Sequence, residues 1–306
     1  MVEDTTVTPE VSIETEQTFI PRIIHLTWKN AEIPDKWKDS FDSWKALEAD
    51  GFRVILWTDI DLRTLVAEKF GWFLEQYDSY PQNIMRVDAA RVFMLYEFGG
   101  VYSDLDLICK RDNFIAFYEM IKTKDVAISS TKAGNGMGRL SLTNAFLCSK
   151  RGARFWLHVI EWLKDPIKDS WWKALAVKFP YFQPLVRTGP IMISDAVNSY
   201  PEKNEIYKIP AQLTAPGDNR STYKNGPVET TESVLAVTEG SSWHKFDAKL
   251  FKTAGDVINV WPFIVLGLMV LFLVLCIFFY WLFKKCSNSW KKPKMAKAYH
   301  GKVKVV

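Results

Sequence analysis

Two aspartates separated by one residue, Asp104 and Asp106, are the side chains of this sequence best suited to chemistry. They follow Gly99-Gly100, a pair typical of a helix end, and the run Val101–Ile108 has the composition of a strand. Because side chains at i and i+2 of a strand share a face, both carboxylates can converge on one site. Such close carboxylates raise each other's pKa unless a cation lies between them, and Mn²⁺ or Mg²⁺ prefers oxygen ligands. The pair therefore predicts a metal site.

Other interpretations of Asp-x-Asp stay open, because the pattern is short and also fits a solvated acidic turn. The flanking residues are apolar, so two aspartates among them would be costly without a ligand, which favours the metal site. Some phosphatases use Asp-x-Asp as nucleophile and acid, usually on the first strand with Thr or Val two residues beyond the second Asp, where this chain has Ile108. A non-catalytic carbohydrate-binding or lipid-binding protein is the third interpretation.

Asp88 and Arg91 lie on the helix predicted from Asn83 to Phe98, three residues apart and therefore on one face. As a surface ion pair they would contribute little to stability. In a nucleotide-sugar site, Asp88 could accept hydrogen bonds from sugar hydroxyls, while the planar fork of Arg91 could bind phosphate or sugar oxygens.

The elements that must position these residues follow an α/β pattern. Arg22–Trp28 and Val54–Trp57 are typical of buried strands, and Pro34–Glu48 between them is typical of a helix. Strand, helix, strand is the unit of a parallel sheet, so we predict an α/β domain with a mostly parallel sheet.

Several spaced motifs together resemble the Asp-x-Asp glycosyltransferases of family 32 over about residues 19–250, and within that family the fungal-type enzymes that mannosylate inositol phosphorylceramide. The motifs are Ile20–Trp28, Trp72–Leu74, Tyr80-Pro81, Arg86–Asp88, Arg91 and Gly99–Asp106. The resemblance implies a Rossmann-like nucleotide-sugar-binding domain of the A type. It also implies Mn²⁺-dependent, retaining transfer of mannose from GDP-mannose to an inositol phosphorylceramide-type sphingolipid, with protein-linked glycans as the alternative acceptor.

The resemblance also implies roles for individual residues. Trp28 matches an aromatic that stacks on the donor base, although a core tryptophan would look the same, and Gly189-Pro190 matches a loop on the acceptor side. The other expected donor-binding residues are Asp88, Arg91, Asn144, Ser242 and Trp243, and the expected catalytic residues are Arg91, Asp104 and Asp106. His244 is expected to join the two aspartates as a metal ligand, with Glu239 as its rival.

The sequence predicts four regions: a disordered lead-in at 1–18, the catalytic domain at 19–250, a transmembrane helix at 257–283 and a basic tail at 284–306. No residue from 257 to 283 is charged, and at about 1.5 Å per residue this run exceeds a bilayer core of roughly 30 Å. The tail has eight lysines and no acidic residue, which favours a cytosolic C-terminus. We therefore predict a single-pass Golgi membrane protein with a lumenal catalytic domain, although residues 1–18 contain no signal peptide.

Charge and cysteine content limit the other partners. The net charge of +4 comes from the tail, because 35 acidic residues exceed the 31 basic residues outside it, so no nucleic-acid partner is expected. The four cysteines lack zinc-site spacing, although a Cys109–Cys148 disulfide stays open. The expected partners are a nucleotide-sugar donor, a lipid acceptor, the membrane and, from the resemblance, a regulatory membrane subunit.

Overall fold

The computed structural model of the protein describes residues 18–130, 142–167, 170–214 and 228–238, together with Val274, Leu275, Phe278 and Tyr280. The chain divides into two compact units, Met1–Ala248 and Lys249–Val306. The four isolated residues belong to the second unit, where they are helical and exposed. Everything else described below belongs to the first unit.

A mixed sheet organises the first unit. Within the described residues it has the strand order β2-β1-β3-β6-β5-β7, and β4 pairs with β8 in a separate antiparallel ladder. Among the strands that the structure describes in the large sheet, β6 alone runs opposite to the others, because it pairs antiparallel with both β3 and β5. The strands are β1 (Ile23–Thr27), β2 (Arg53–Trp57), β3 (Gly100–Ser103), β4 (Leu107–Cys109), β5 (Val126–Ser130), β6 (Leu142–Ser149), β7 (Tyr207–Ile209) and β8 (Leu235–Val237). The predicted α/β class with a mostly parallel sheet is therefore observed.

Helices connect these strands. They are α1 (Asp35–Lys45), α2 (Asp59–Lys69), α3 (Leu74–Ser79), α4 (Asn83–Phe98), α5 (Arg111–Ile121), α6 (Arg154–Lys164), α7 (Trp171–Ala176), α8 (Phe182–Arg187), α9 (Pro190–Ser199) and α10 (Ala211–Thr214), with short 3₁₀ turns at Ala46–Asp50 and Gly71–Phe73.

The sheet has an apolar core on each face because its strands are apolar at successive positions and successive side chains point to opposite faces. Along β3, Val101 joins the core under α1 and α5, whereas Tyr102 joins the core under α4, α6 and α9. Along β6, Phe146 and Leu147 divide in the same way. Cys109 and Cys148 are both buried free thiols, so the disulfide left open by the sequence is not formed.

A glycine pair sets the angle between α4 and β3. Gly99 and Gly100 have φ values of 64° and 94°, which favour glycine. A Cβ on Gly99 would lie 2.5 Å from the Arg151 nitrogen, and one on Gly100 would lie 2.6 Å from the Ile23 oxygen. These positions therefore end α4 and let β3 lie directly against β1, which brings the end of β3 to the carboxyl edge of the sheet.

The predicted strand from Val101 to Ile108 is wrong at its centre. β3 ends at Ser103, and a turn follows in which the Leu107 amide donates to the Asp104 oxygen over 3.2 Å. Because β4 must leave the large sheet to pair with β8, the chain has to bend between the two strands. The two aspartates therefore lie on a turn, and their convergence comes from the turn and not from strand alternation.

The predicted transmembrane helix, which was part of both the predicted fold class and the predicted localisation, is wrong. No helix among the described residues is both long enough and apolar enough to cross a membrane, which contradicts the single-pass anchor. The predicted segment, 257–283, lies outside the described residues apart from four positions. An uncharged run satisfies only the composition of a spanning helix, which also needs about 20 residues of continuous helical hydrogen bonding.

Candidate active site

The Asp104–Asp106 turn lies at the end of the central strand β3 and is fixed from the side of the large sheet. The Asp104 amide donates to the backbone oxygen of Ala145 in β6 over 2.9 Å, and the Ser103 hydroxyl donates to the backbone oxygen of Asp104 over 3.1 Å. Leu105 is buried between the two aspartates. The backbone of the turn is thus held on the strand that also carries Asn144.

Strand β4 fixes the other end of the turn. The Leu107 oxygen accepts hydrogen bonds from Trp44 Nε1 and the Ser40 hydroxyl of α1, each over 2.7 Å. After β8, Thr238 donates from both its amide and its hydroxyl to the backbone oxygen of Asp106, over 2.9 and 3.1 Å. Three parts of the chain therefore determine where the two carboxylates lie.

Asp106 has the chemistry of a metal ligand. Its Oδ1 is buried and has no hydrogen-bond partner among the described residues. Burial, and next to it the negative charge of Asp104, raise the pKa of Asp106 to about 7. A buried carboxylate oxygen without a partner is costly, and a divalent cation would remove that cost. The two aspartates therefore fit the metal that the sequence predicts.

The described residues supply only part of a metal coordination shell. They contain no group of three or more His, Cys, Asp or Glu side chains that could hold an ion. The expected third ligand, His244, its rival Glu239 and the expected donor-binding residues Ser242 and Trp243 all lie outside the described residues.

Asp104 is oriented by Tyr102, a residue that the sequence analysis missed. The Tyr102 hydroxyl donates to Asp104 Oδ1 over 2.7 Å and lies 3.1 Å from Thr27 Oγ1. Since the tyrosine proton goes to Asp104, Thr27 is the donor in the second hydrogen bond. The Asp104 side chain is 34% exposed. Tyr102 therefore orients it while part of the carboxylate stays accessible to a ligand.

Arg91 is a buried cation beneath the turn, with a side chain only 2% exposed. Its Nη2 lies 2.9 Å from Asp88 Oδ1 and 3.5 Å from Asp104 Oδ1, and its Nη1 donates to the backbone oxygen of Asn144. The guanidinium carbon also lies 4.3 Å from the centre of the Tyr102 ring. Arg91 therefore joins α4, β3 and β6, and the interpretation of Asp88 and Arg91 as a surface ion pair is excluded.

Asp88 is the second buried charge of this network. Its Oδ1 accepts from Asn144 Nδ2 over 2.9 Å, and its Oδ2 accepts from the Thr188 hydroxyl over 3.2 Å. Burial raises the pKa of Asp88 to about 6, although Arg91 acts in the opposite direction. Gly189 packs so close that an added Cβ would lie 3.4 Å from Asp88 Oδ2 and 2.8 Å from the Pro184 oxygen. The predicted Gly189-Pro190 loop is thus the start of α9, directly beside Asp88.

The structure brings together Asp88, Arg91, Asn144, Asp104 and Asp106, five of the residues expected from the sequence. Trp28 follows β1 and donates its amide to the Trp57 oxygen over 3.0 Å, while its side chain is partly buried against the core under α1. Tyr102 could have been found from the sequence, because it lies two residues before Asp104. Thr188 had no local signal.

The sequence of this chain is similar to that of known proteins over most of its length. Residues 34–126 match the model of the glycosyltransferase sugar-binding region containing the DXD motif. Inositol phosphoceramide mannosyltransferase 2 of Schizosaccharomyces pombe is 30% identical over 265 residues, which is 86% of this chain and 69% of that protein. The chain belongs to this glycosyltransferase family.

Two further relatives extend the comparison. Inositol phosphoceramide mannosyltransferase 3 of Schizosaccharomyces pombe is 32% identical over 76% of this chain and 58% of its own length. Mannosyl phosphorylinositol ceramide synthase SUR1 of Saccharomyces cerevisiae is 31% identical over 89% of this chain and 66% of its own. The chain thus spans between 58% and 69% of these family members. Among solved structures, the ligand-free glycosyltransferase domain of the YGT toxin is 10% identical over 68% of this chain and 83% of that chain, with a TM-score of 0.41, too low to establish a shared fold.

Proposed function

We propose that this protein transfers mannose from GDP-mannose to an inositol phosphoceramide-type sphingolipid in a metal-dependent, retaining reaction. The activities in the names of its family relatives support the sugar and the acceptor. The observation that carries the chemistry is the buried Oδ1 of Asp106, which lies beside Asp104 and has no hydrogen-bond partner in the described part of the chain.

Asp104 and Asp106 would hold Mn²⁺ or Mg²⁺. A divalent cation bound there supplies positive charge that neutralises the departing diphosphate of the donor. Asp104 contributes an oriented oxygen, because Tyr102 fixes its Oδ1. Asp106 contributes an oxygen that is already desolvated, because the fold buries it.

The Arg91 guanidinium stabilises the carboxylates of Asp88 and Asp104. This guanidinium lies 3.5 Å from Asp104 and 2.9 Å from Asp88, so it offsets the repulsion between the negative groups while the cation is absent. Because Arg91 is buried and contacts residues of α4, β3 and β6, the position of its charge is fixed before the donor binds. The charge therefore needs no reorganisation during the reaction. Asp88 and Asn144 would then present hydrogen-bonding groups to the donor sugar.

The remaining donor contacts are proposals from the resemblance. Trp28 would stack on the guanine base, while Ser242 and Trp243 would close over the diphosphate. His244 would complete the metal site, or Glu239 in its place. Thr238 supports this proposal because it donates hydrogen bonds to the Asp106 backbone oxygen, and the six residues from Thr238 to His244 can span about 20 Å at most. The expected regulatory membrane subunit stays a prediction.

The test is a transfer assay on the purified full-length chain with GDP-mannose labelled in the sugar and inositol phosphoceramide in detergent micelles. We expect a labelled mannosyl lipid by mass spectrometry, its loss with a chelator, and its recovery with Mn²⁺. Donor binding without transfer would support a non-catalytic binding protein instead. Transfer only to protein-linked glycans would reject the lipid acceptor.

A further inference from the structure

Helix α7 exposes the side chains that a soluble helix normally buries. Trp171 is 80% exposed, Leu175 is 52% exposed and Trp172 is 41% exposed. Large apolar side chains that cluster on a surface mark an interaction site. We call these three residues, together with Lys178, the aromatic surface.

The orientation of α7 is fixed by Lys173, the charged residue on the side of the helix that faces the protein. Lys173 is buried, and its Nζ lies 2.5 Å from Asp195 Oδ2 of α9 and 5.0 Å from the centre of the Trp162 ring. Turning the aromatic residues inward would break this ion pair, whose lysine is buried, and loss of a buried charge's partner is costly. The helix is therefore anchored through its lysine, and its tryptophans are held outward.

The charges around the aromatic surface indicate what it binds. From Ser170 to Arg187 the chain contains five aromatic residues and no Asp or Glu. Lys178 is exposed, and neither it nor Arg187 forms an ion pair within the part of the chain that the structure describes. Tryptophan and tyrosine combined with basic residues are typical of surfaces that lie in the headgroup region of a bilayer, and basic residues there attract anionic lipids.

The aromatic surface is connected to the candidate active site through a short stretch of chain. Between α7 and α8, the Pro180 backbone oxygen accepts a hydrogen bond from Gln82 Nε2 over 2.7 Å, and Gln82 occupies the N-cap position of α4, the helix that carries Asp88. Helix α8 then leads to Thr188, whose hydroxyl donates to Asp88. Contact of α7 with a bilayer would thus fix the segment that packs against the donor-side carboxylate.

We propose that the aromatic surface docks the enzyme onto the face of an anionic bilayer, with the rings of Trp171 and Trp172 among the headgroups and Lys178 at the phosphates. The proposal deepens the proposed function, because docking would present a bilayer-embedded acceptor to the site. Docking itself requires only the surface, so the two proposals can fail separately.

The first experiment reads docking without using activity. The full-length chain with C276S and C286S carries W171C labelled with an environment-sensitive fluorophore, and the matched control carries M120C on α5, whose native side chain is 54% exposed on the opposite face of the sheet. With vesicles of phosphatidylcholine and about one-fifth phosphatidylinositol, we expect a blue shift and quenching by doxyl-labelled lipid at 171 and neither at 120. K178E should weaken the quenching at 171.

Each other outcome overturns docking. Equal signals at positions 171 and 120 would show that the whole protein adheres without a preferred face. A blue shift at position 171 that grows with protein concentration in the absence of vesicles would assign the surface to a second copy of the chain. A blue shift that needs neither vesicles nor concentration would assign it to another segment of the same chain.

The second experiment links docking to transfer. In W171S/W172S we expect GDP-mannose hydrolysis and transfer to a detergent-dispersed acceptor to be unchanged, while KM for a vesicle-embedded acceptor rises at least tenfold, with M120S as the control. Loss of hydrolysis in W171S/W172S would show damage to the fold. If the unaltered chain transfers mannose to no lipid, the proposed function fails while the quenching result still decides docking.

Discussion

The Tyr102 hydroxyl donates to Asp104 Oδ1 over 2.7 Å, while the ring of the same tyrosine lies 4.3 Å from the Arg91 guanidinium carbon. One side chain thus contacts both a proposed metal ligand and the buried cation beneath it. The hydroxyl and the ring can be separated experimentally, because phenylalanine keeps the ring and removes only the hydrogen bond.

Tyr102→Phe should therefore lower the rate of donor hydrolysis and raise the Mn²⁺ concentration needed for half-maximal rate. We expect about a tenfold loss in kcat/KM, since a hydrogen bond to a charged group contributes about 1.5–3 kcal/mol. The control is Tyr118→Phe, which likewise removes a buried tyrosine hydroxyl, one that donates to the Ile20 backbone oxygen over 2.6 Å. An equal loss of activity in the two variants would show that general destabilisation is the cause.

Arg91→Met should destabilise the fold as well as the site. It leaves Asp88 buried without its ionic partner, and loss of one member of a buried pair costs about 3–5 kcal/mol. The matched control is Arg63→Met, which breaks an exposed pair with Asp78 that should contribute about 1 kcal/mol or less. Urea unfolding followed by circular dichroism measures both, and similar losses in the two variants would contradict the role assigned to Arg91.

His25 should make the protein sensitive to mild acid. Trp57 Nε1 donates to its Nδ1 over 3.1 Å, so the Nε2 proton must go to the Gly99 oxygen, 2.9 Å away. Burial lowers the pKa of His25 to about 4. The unfolded state therefore binds more protons between about pH 6.5 and pH 4, so stability is complete above that window and is lost as the pH falls through it.

The expected loss from His25 is about 3 kcal/mol between pH 7 and pH 4. Urea unfolding across this range should show a shallower pH dependence for His25→Gln than for the unaltered chain. His158→Gln, on α6, should keep the full slope. If His25→Gln keeps it too, other groups account for the acid sensitivity.

Local sequence pattern predicted much of the site, and the failures have identifiable causes. The helix carrying Asp88 and Arg91 and its glycine end follow from spacing over a few residues, and both are confirmed. The prediction of one strand through Asp104 and Asp106 was wrong because β4 pairs with β8, which lies more than 120 residues later in the chain. Thr188 lies 100 residues from Asp88, so only the tertiary fold brings them together.

The transmembrane prediction failed differently. It rested on the length of an uncharged run, and composition alone does not establish a continuous spanning helix. The burial of Asp106 Oδ1 was equally invisible in the sequence, because the turn that carries it is held by Thr238, 132 residues later in the chain.

Calorimetric titration of Mn²⁺ in the presence of GDP tests most directly whether Asp104 and Asp106 hold a divalent cation. The unaltered chain and the surface control Asp39→Asn should bind one Mn²⁺, more tightly at pH 8 than at pH 6, because a proton competes for a carboxylate whose pKa is raised to about 7. Asp106→Asn should weaken binding at least tenfold, with the fold retained by circular dichroism. Unchanged Mn²⁺ affinity in Asp106→Asn, or no Mn²⁺ binding by the unaltered chain, would contradict the assignment of Asp104 and Asp106 as the metal ligands.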